Sequence, residues 1–175
     1  VTTPKKFVLL GATGSIGEST LRVLRKHPDK LELVGISARQ QAGKLAEIAH
    51  EFSVPFACLE NPSDPDVSFP KETELLDGQE GIEALAALPE ADVVVVAVVG
   101  AAGLLPTLSA LRAGKDIVLA NKEALVVGGE LVTQVAKENG ARIIPADSEH
   151  NAVFQCIQGQ DEKSLDSIIL TASGG

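Results

Sequence analysis

The stretch Asp92-Val93-Val94-Val95-Val96-Ala97-Val98 constrains the fold more than any other part of the chain. A continuous apolar run, nearly all valine after Asp92, has no polar face to turn to water. It fits a strand covered on both sides, the central position of a parallel sheet. It falls far short of the roughly 20 apolar residues that a membrane-spanning helix needs. Around it, short apolar runs alternate with segments of helical periodicity. Residues 6–10, 31–37, 55–59, 116–119 and 142–145 read as further strands, and 15–26, 42–52, 79–88, 104–113 and 129–139 as helices. Ile16, Thr20, Val23 and Leu24 fall on one face of the first helix, and Leu45, Ile48, Ala49 and Phe52 fall at helical spacing in the second. Gly140 is placed to end the fifth helix as its C′ residue. The proline- and acid-rich stretch 60–77 reads as a surface excursion without an element of its own. Strands alternating with helices imply right-handed βαβ units, hence an α/β fold with a doubly wound, mostly parallel sheet and helices on both faces.

Between the first strand and the first helix lies Gly11-Ala12-Thr13-Gly14-Ser15-Ile16-Gly17. That context is the one a dinucleotide-binding turn requires, and it makes the fold Rossmann-like. Gly11 permits the tight turn, Gly14 lets the backbone approach a pyrophosphate, and Gly17 lets the helix pack closely. The helix N-terminus offers free N–H groups to phosphate, and Ser15 can cap it or donate to the ligand. The spacing is GxxGxxG where the common fingerprint is GxGxxG, so a βα turn that binds nothing is the alternative. The second strand ends Ser37-Ala38-Arg39-Gln40-Gln41, with no carboxylate for a ribose 2′-hydroxyl. Arg39 suits a 2′-phosphate instead, with Gln40 and Gln41 adding hydrogen bonds, which favours NADP over NAD; a solvated surface arginine is the alternative.

The formal net charge of −9 removes any electrostatic footprint for nucleic acid or an anionic membrane. Cys58 and Cys156 form neither a disulfide framework nor a metal-ligand spacing, and both are expected as small buried hydrophobes. The N-terminal VTTPKKF has no apolar core of a signal peptide, so the cytoplasm is expected by default; with no methionine in the chain, Val1 is not expected to be the natural start.

Two further segments follow strands, where ligands bind in open α/β sheets. Asn121, Lys122 and Glu123 should face the cleft, and a lysine there can neutralise an anionic substrate or polarise an oxygen. In Asp147-Ser148-Glu149-His150-Asn151, an extended backbone would point Asp147 and Glu149 the same way, toward one cation. Oxygen-only ligands suit Mg2+ or Mn2+. An ordinary helix start with Asp147 or Ser148 as its cap is the competing reading, and His150 is expected to be a hydrogen-bonded structural residue. Residues 148–157 read as a helix and 167–170 as a strand. A dinucleotide-binding domain over 1–146 and the truncated start of an α+β catalytic domain over 147–175 are therefore expected.

Five segments, 11–17, 99–104 (VGAAGL), 119–125 (LANKEAL), 147–155 (DSEHNAVFQ) and 170–175 (LTASGG), together resemble the 1-deoxy-D-xylulose 5-phosphate reductoisomerase family of the non-mevalonate isoprenoid pathway. The resemblance implies an enzyme dependent on NADPH and on Mg2+ or Mn2+ that rearranges a sugar phosphate and reduces the product. It implies that Thr13, Gly14, Ser15 and Ile16 hold the pyrophosphate and Arg39 with its neighbours the 2′-phosphate. Asn121 and Glu123 would contact the cofactor near the nicotinamide, and Lys122 the substrate. Asp147 and Glu149 would be metal ligands, Ser148 and Glu149 would bind substrate hydroxyls, and Ser173 would sit at the substrate phosphate. A homodimer in bacterial cytoplasm or plastid stroma is implied for the whole protein, with the chain alone binding NADPH and catalysing nothing. Three rivals are weaker. An aldehyde dehydrogenase needs a nucleophilic cysteine, for which Cys156 among apolar residues is poorly placed. A reductase with a Tyr–Lys pair finds no tyrosine within this chain. A nucleotide-sensing module explains the glycine turn and Arg39 but needs neither of the later segments.

Overall fold

The computed structural model describes residues 3–61 and 67–169. Among them, strands β1 (Lys5–Leu10), β2 (Leu31–Ala38), β3 (Phe56–Leu59), β4 (Glu74–Asp77), β5 (Val93–Val96), β6 (Asp116–Leu119) and β7 (Ile143–Pro145) form one sheet in the order β4-β3-β2-β1-β5-β6-β7. Every pairing is parallel. The helices are α1 (Ser15–Lys26), α2 (Ala42–Phe52), α3 (Gly78–Ala86), α4 (Leu104–Arg112), α5 (Lys122–Glu138) and α6 (Ser148–Ile157). The chain steps outward from β1 to β4, then returns to the far side of β1 to lay down β5. The connections leaving β1 and β5 diverge, and a crevice opens between them at the carboxyl edge of the sheet.

Side chains alternate along each strand and divide the core into two layers. Phe7 and Leu9 of β1 pack with Leu21 and Leu24 of α1 and with Leu45, Ile48 and Ala49 of α2. Val8 and Leu10 face the other way, against Ile82 and Leu85 of α3, Leu108 and Leu111 of α4, and Val132 and Val135 of α5. The valine strand splits likewise, Val95 to the first layer and Val94 and Val96 to the second, so it is covered on both sides as its composition predicts.

Several expectations need correction. The buried stripe of α1 is Gly17, Leu21 and Leu24, while Ile16 and Val23 remain 42% and 49% exposed. The close seat of Gly17 against the preceding turn fixes which face turns inward. The excursion 60–77 contains β4, an edge strand with mostly exposed residues, so the apolar pattern that marks an inner strand is missing. Helix α5 starts seven residues before the expected Gly129, at Lys122, and continues through a non-helical Gly128 (φ −131°, ψ 23°). No strand forms at 167–169, which find no pairing partner among the described residues; Leu170 and Ser173 lie outside them. Cys58 is buried but Cys156 is exposed, because α6 buries none of its residues. Gly140 does follow α5 in the left-handed region at φ 65°, with the Ala141 N–H donating to Ala136 O at 2.9 Å.

Candidate functional site

All six helices follow parallel strands and so begin at the same edge of the sheet, and three of them start beside the crevice. α1 follows β1, α5 follows β6 after two residues, and α6 follows β7 after two residues. Each N-terminus carries unpaired N–H groups and a partial positive charge. This edge gathers helix N-termini with Arg39, Lys44 and Lys122, alongside the carboxylates of Glu60, Glu123 and Asp147.

The glycine turn is built by close approach. Gly11 has φ 81°, and a Cβ there would lie 2.6 Å from Ala97 O. A Cβ on Gly17 would lie 2.5 Å from Gly11 O and overlap Ala12 O. Gly14 is different: the nearest atom to its added Cβ is Gly11 O at 3.5 Å, so the space in front of it is free for a ligand. Gly14 is itself the N-cap of α1 and no side chain caps it, so Ser15 stands in the first turn with its hydroxyl uncommitted to a cap. From β2, Ser37 reaches across, its Oγ accepting the Gly11 N–H at 3.1 Å while its carbonyl accepts that of Ala12 at 2.8 Å. Lys44 of α2 donates to Thr13 O at 3.1 Å. Gly11, Thr13, Gly14, Arg39 and Gln41 line one crevice of about 470 Å³ with Glu60 and the 97–102 segment. Gln40 is exposed beside Arg39.

The neighbouring part of the crevice is lined by Gly14, Ser15, Ile16, the 97–99 segment, Ala120, Asn121, Lys122, Glu123 and Asp147. Lys122 and Glu123 form the first turn of α5 and are exposed. Asn121 is the N-cap of α5 and only 2% exposed. Its Oδ1 accepts the Ala124 N–H at 2.9 Å, and its Nδ2 donates to Val98 O at 2.8 Å and Gly100 O at 2.7 Å.

Asp147 caps α6, and Glu149 lies in that helix's first turn, so the alternation of an extended strand does not apply between them. Asp147 Oδ1 accepts the His150 N–H at 2.9 Å and Oδ2 meets His150 Nδ1 at 2.7 Å. Burial pushes the Asp147 carboxyl up, but the hydrogen bonds from His150 outweigh it and leave the group below its usual value. Glu149 is also held below its usual value, first by the Ser148 hydrogen bond, with the Lys122 charge adding and the Asp147 charge opposing. Glu149 thus lies within reach of both the Lys122 and the Asp147 charges. Among the described residues, no group of three or more His, Cys, Asp or Glu side chains is arranged to hold a metal ion. The pair Asp147 and Glu149 offers hard oxygen donors of the right chemistry for a divalent cation, as part of a coordination shell. Ser148 and Glu149 also open onto a groove of about 510 Å³ along α6, with Cys156 and Ile168 on its walls.

Sequence reasoning missed Ser37, Glu60 and the 97–102 wall as parts of the crevice, and Lys44 as a partner of the glycine turn. Small residues after a buried strand, as in Ala101-Ala102-Gly103, were the available signal for the wall. Ser37, Lys44 and Glu60 reach it only through the pairing of β1, β2 and β3, which no local pattern encodes.

Residues 7–129 match the family described as 1-deoxy-D-xylulose 5-phosphate reductoisomerase, and residues 143–175 match that described as its C-terminal domain. The reductoisomerase of Clostridium perfringens is 48% identical over 177 aligned residues, covering 98% of this chain and 46% of the relative. A crystal structure of DOX-P reductoisomerase in complex with magnesium superposes with a TM-score of 0.81 at 42% identity, over 90% of this chain and 42% of that one. The Zymomonas mobilis enzyme in complex with NADPH gives 0.81 at 35% identity, over 88% and 41%. The chain spans about half the length of the curated relatives it matches.

Proposed function

The chain belongs to the 1-deoxy-D-xylulose 5-phosphate reductoisomerase family, and from that premise we propose that it is the NADPH-binding half of an enzyme that isomerises and reduces 1-deoxy-D-xylulose 5-phosphate to 2-C-methyl-D-erythritol 4-phosphate. The observation that carries the proposal is a pair of adjoining pockets that share Gly14 and the 97–99 segment. The glycine turn and Arg39 line one, and Lys122, Glu123 and Asp147 line the other.

The roles follow from that layout. Thr13, Gly14, Ser15 and Ile16 hold the pyrophosphate against the α1 N-terminus. Arg39, with Gln40 and Gln41, holds the 2′-phosphate through charge-assisted bonds. Asn121 and Glu123 lie at the nicotinamide end, Asn121 through its backbone because its side-chain amide is bonded inward, and Lys122 balances developing negative charge on the substrate oxygen. Asp147 and Glu149 hold a divalent cation, Mg2+ or Mn2+, while Ser148 and Glu149 bind substrate hydroxyls. When bound, the cation supplies Lewis acidity toward the substrate's carbonyl and hydroxyl oxygens, and the nicotinamide supplies hydride. Ser173, outside the described residues, belongs to the substrate-phosphate site in this reading.

Residues 1–146 act as the cofactor domain and 147 onward begins the catalytic domain. The whole enzyme works as a homodimer in bacterial cytoplasm or plastid stroma, and the 175-residue chain alone binds NADPH without turnover. Among the described residues, no helix is long and apolar enough to cross a membrane. The test is NADPH oxidation by the full-length protein with 1-deoxy-D-xylulose 5-phosphate, with and without Mg2+ or Mn2+. Turnover is expected only with substrate and metal together, and its absence under that condition would refute the reading.

A further inference from the structure

We infer that Asn121 is a positioning residue whose side-chain amide locks the exit of β5 to the start of α5, and that position 103 is glycine to leave that amide room. The inference rests on the functional reading above. All three polar bonds of the Asn121 side chain run inward. Both N–H groups of Nδ2 are engaged by the Val98 and Gly100 carbonyls, and Oδ1 caps α5 through Ala124. With two donors engaged and one acceptor position in use, the buried amide has no donor left for a ligand. Gly103 closes the arrangement from below. It is buried, and a Cβ there would overlap Asn121 Nδ2, lie 3.2 Å from its Cγ and lie 3.0 Å from Val98 Cγ2. The turn that holds Gly103 is itself pinned, since Gly103 O accepts the buried Thr107 hydroxyl at 2.6 Å.

The lock lies between the two ends of the crevice. Val98 and Gly100 follow β5, whose exit forms the wall beside the glycine turn. Asn121 follows β6, and the next two residues are Lys122 and Glu123. Three hydrogen bonds therefore fix the cofactor wall relative to the first turn of α5. A misplacement of about 1 Å between reacting groups can cost roughly a hundredfold in rate, so rigidity here acts on turnover more than on cofactor affinity.

The test is a double-substitution cycle in the full-length enzyme: Gly103→Ala, Asn121→Ser and the pair, with Asn121→Asp as an independent variant. Asn121→Asp keeps the size and the capping oxygen but faces the two carbonyls with an acceptor. Kinetic constants and melting temperature are measured for each. Gly103→Ala and Asn121→Asp are expected to lower kcat by about ten- to a hundredfold, with the NADPH KM moving less than about threefold. In the pair, the new methyl group fills the space that the amide vacated, so kcat should fall no further than in Asn121→Ser alone. A raised NADPH KM at unchanged kcat in Asn121→Ser, with independent effects in the pair, would overturn the lock and make Asn121 a cofactor contact. Lowered melting temperatures with kcat intact would also overturn it. If Gly103→Ala does not fold, Asn121→Asp alone decides. A parent enzyme with no turnover would refute the functional reading and the positioning role together, whereas turnover with additive substitutions would remove the lock alone.

Discussion

One methyl group at position 17 is enough to disturb the glycine turn. Its carbon would meet the carbonyls of Gly11 and Ala12, which are backbone and cannot swing aside. Gly17→Ala is expected to lower stability by about 1–3 kcal/mol and to weaken NADPH binding, both read in one thermal-shift titration. An unchanged melting curve would contradict the packing role. The two cysteines separate as cleanly. Burial, then the charges of Asp77 and Glu60, push the Cys58 thiol up to about 12, whereas Cys156 is exposed. A thiol held protonated inside the core is inert. One of the two thiols should react quickly with an aromatic disulfide reagent in the native protein, and both after denaturation. Two fast thiols in the native state would show that Cys58 is accessible. The glycines were legible in the sequence because their positions between strand and helix are diagnostic. The exposure of Cys156 was not, because it depends on how little α6 packs against.

Elements show where local pattern and tertiary contact part. β6 and β7 are clamped at their starts, with Asp116 accepting the Arg142 N–H at 2.8 Å and its Nε–H at 3.0 Å. The Arg142 hydrogen bond holds the Asp116 carboxyl below its usual range against the opposing effect of burial. A folded-state value below the unfolded one means that the clamp stabilises above the unfolded value and that this stability is lost as pH falls through the folded value. Melting temperatures of the parent and Asp116→Asn should therefore differ at neutral pH and converge below about pH 4. The Arg142 side chain is 70% exposed, so screening keeps the difference small. A gap that persists undiminished in acid would contradict the assignment. The sequence pointed to a helix over 129–139. The helical segment is indeed interrupted at Gly128, where φ −131° and ψ 23° make a kink, and what the sequence did not show is the further helical stretch before it, which starts at Lys122 behind the Asn121 cap. The edge strand β4 was illegible too: with one neighbour and half its surface in water, it needs no apolar alternation.

At the scale of the molecule, the parallel sheet and its two-layer core were readable from periodicity, because each strand–helix pair repeats the same chemical statement. The crevice was readable in part. Its glycine turn, Arg39 and the Lys122–Glu123 pair are local motifs at strand ends. The inward commitment of Asn121, the Ser37 and Lys44 bonds to the turn, and the cap role of Asp147 arise from the order of strands in space. The same order brings the N-termini of α1, α5 and α6 to one edge, with Arg39, Lys44 and Lys122 interspersed with Glu60, Glu123 and Asp147, and in the proposed function it is Arg39 that distinguishes a cofactor with an extra phosphate. Calorimetric titration of the chain with NADPH and with NADH, repeated on Arg39→Ala, tests that claim most directly. A charge-assisted contact contributes about 1.5–3 kcal/mol, so NADPH should bind about ten- to a hundredfold more tightly than NADH. Arg39→Ala should abolish most of that preference and leave NADH affinity unchanged. Equal affinities in the parent, or a preference that survives the loss of Arg39, would contradict the account.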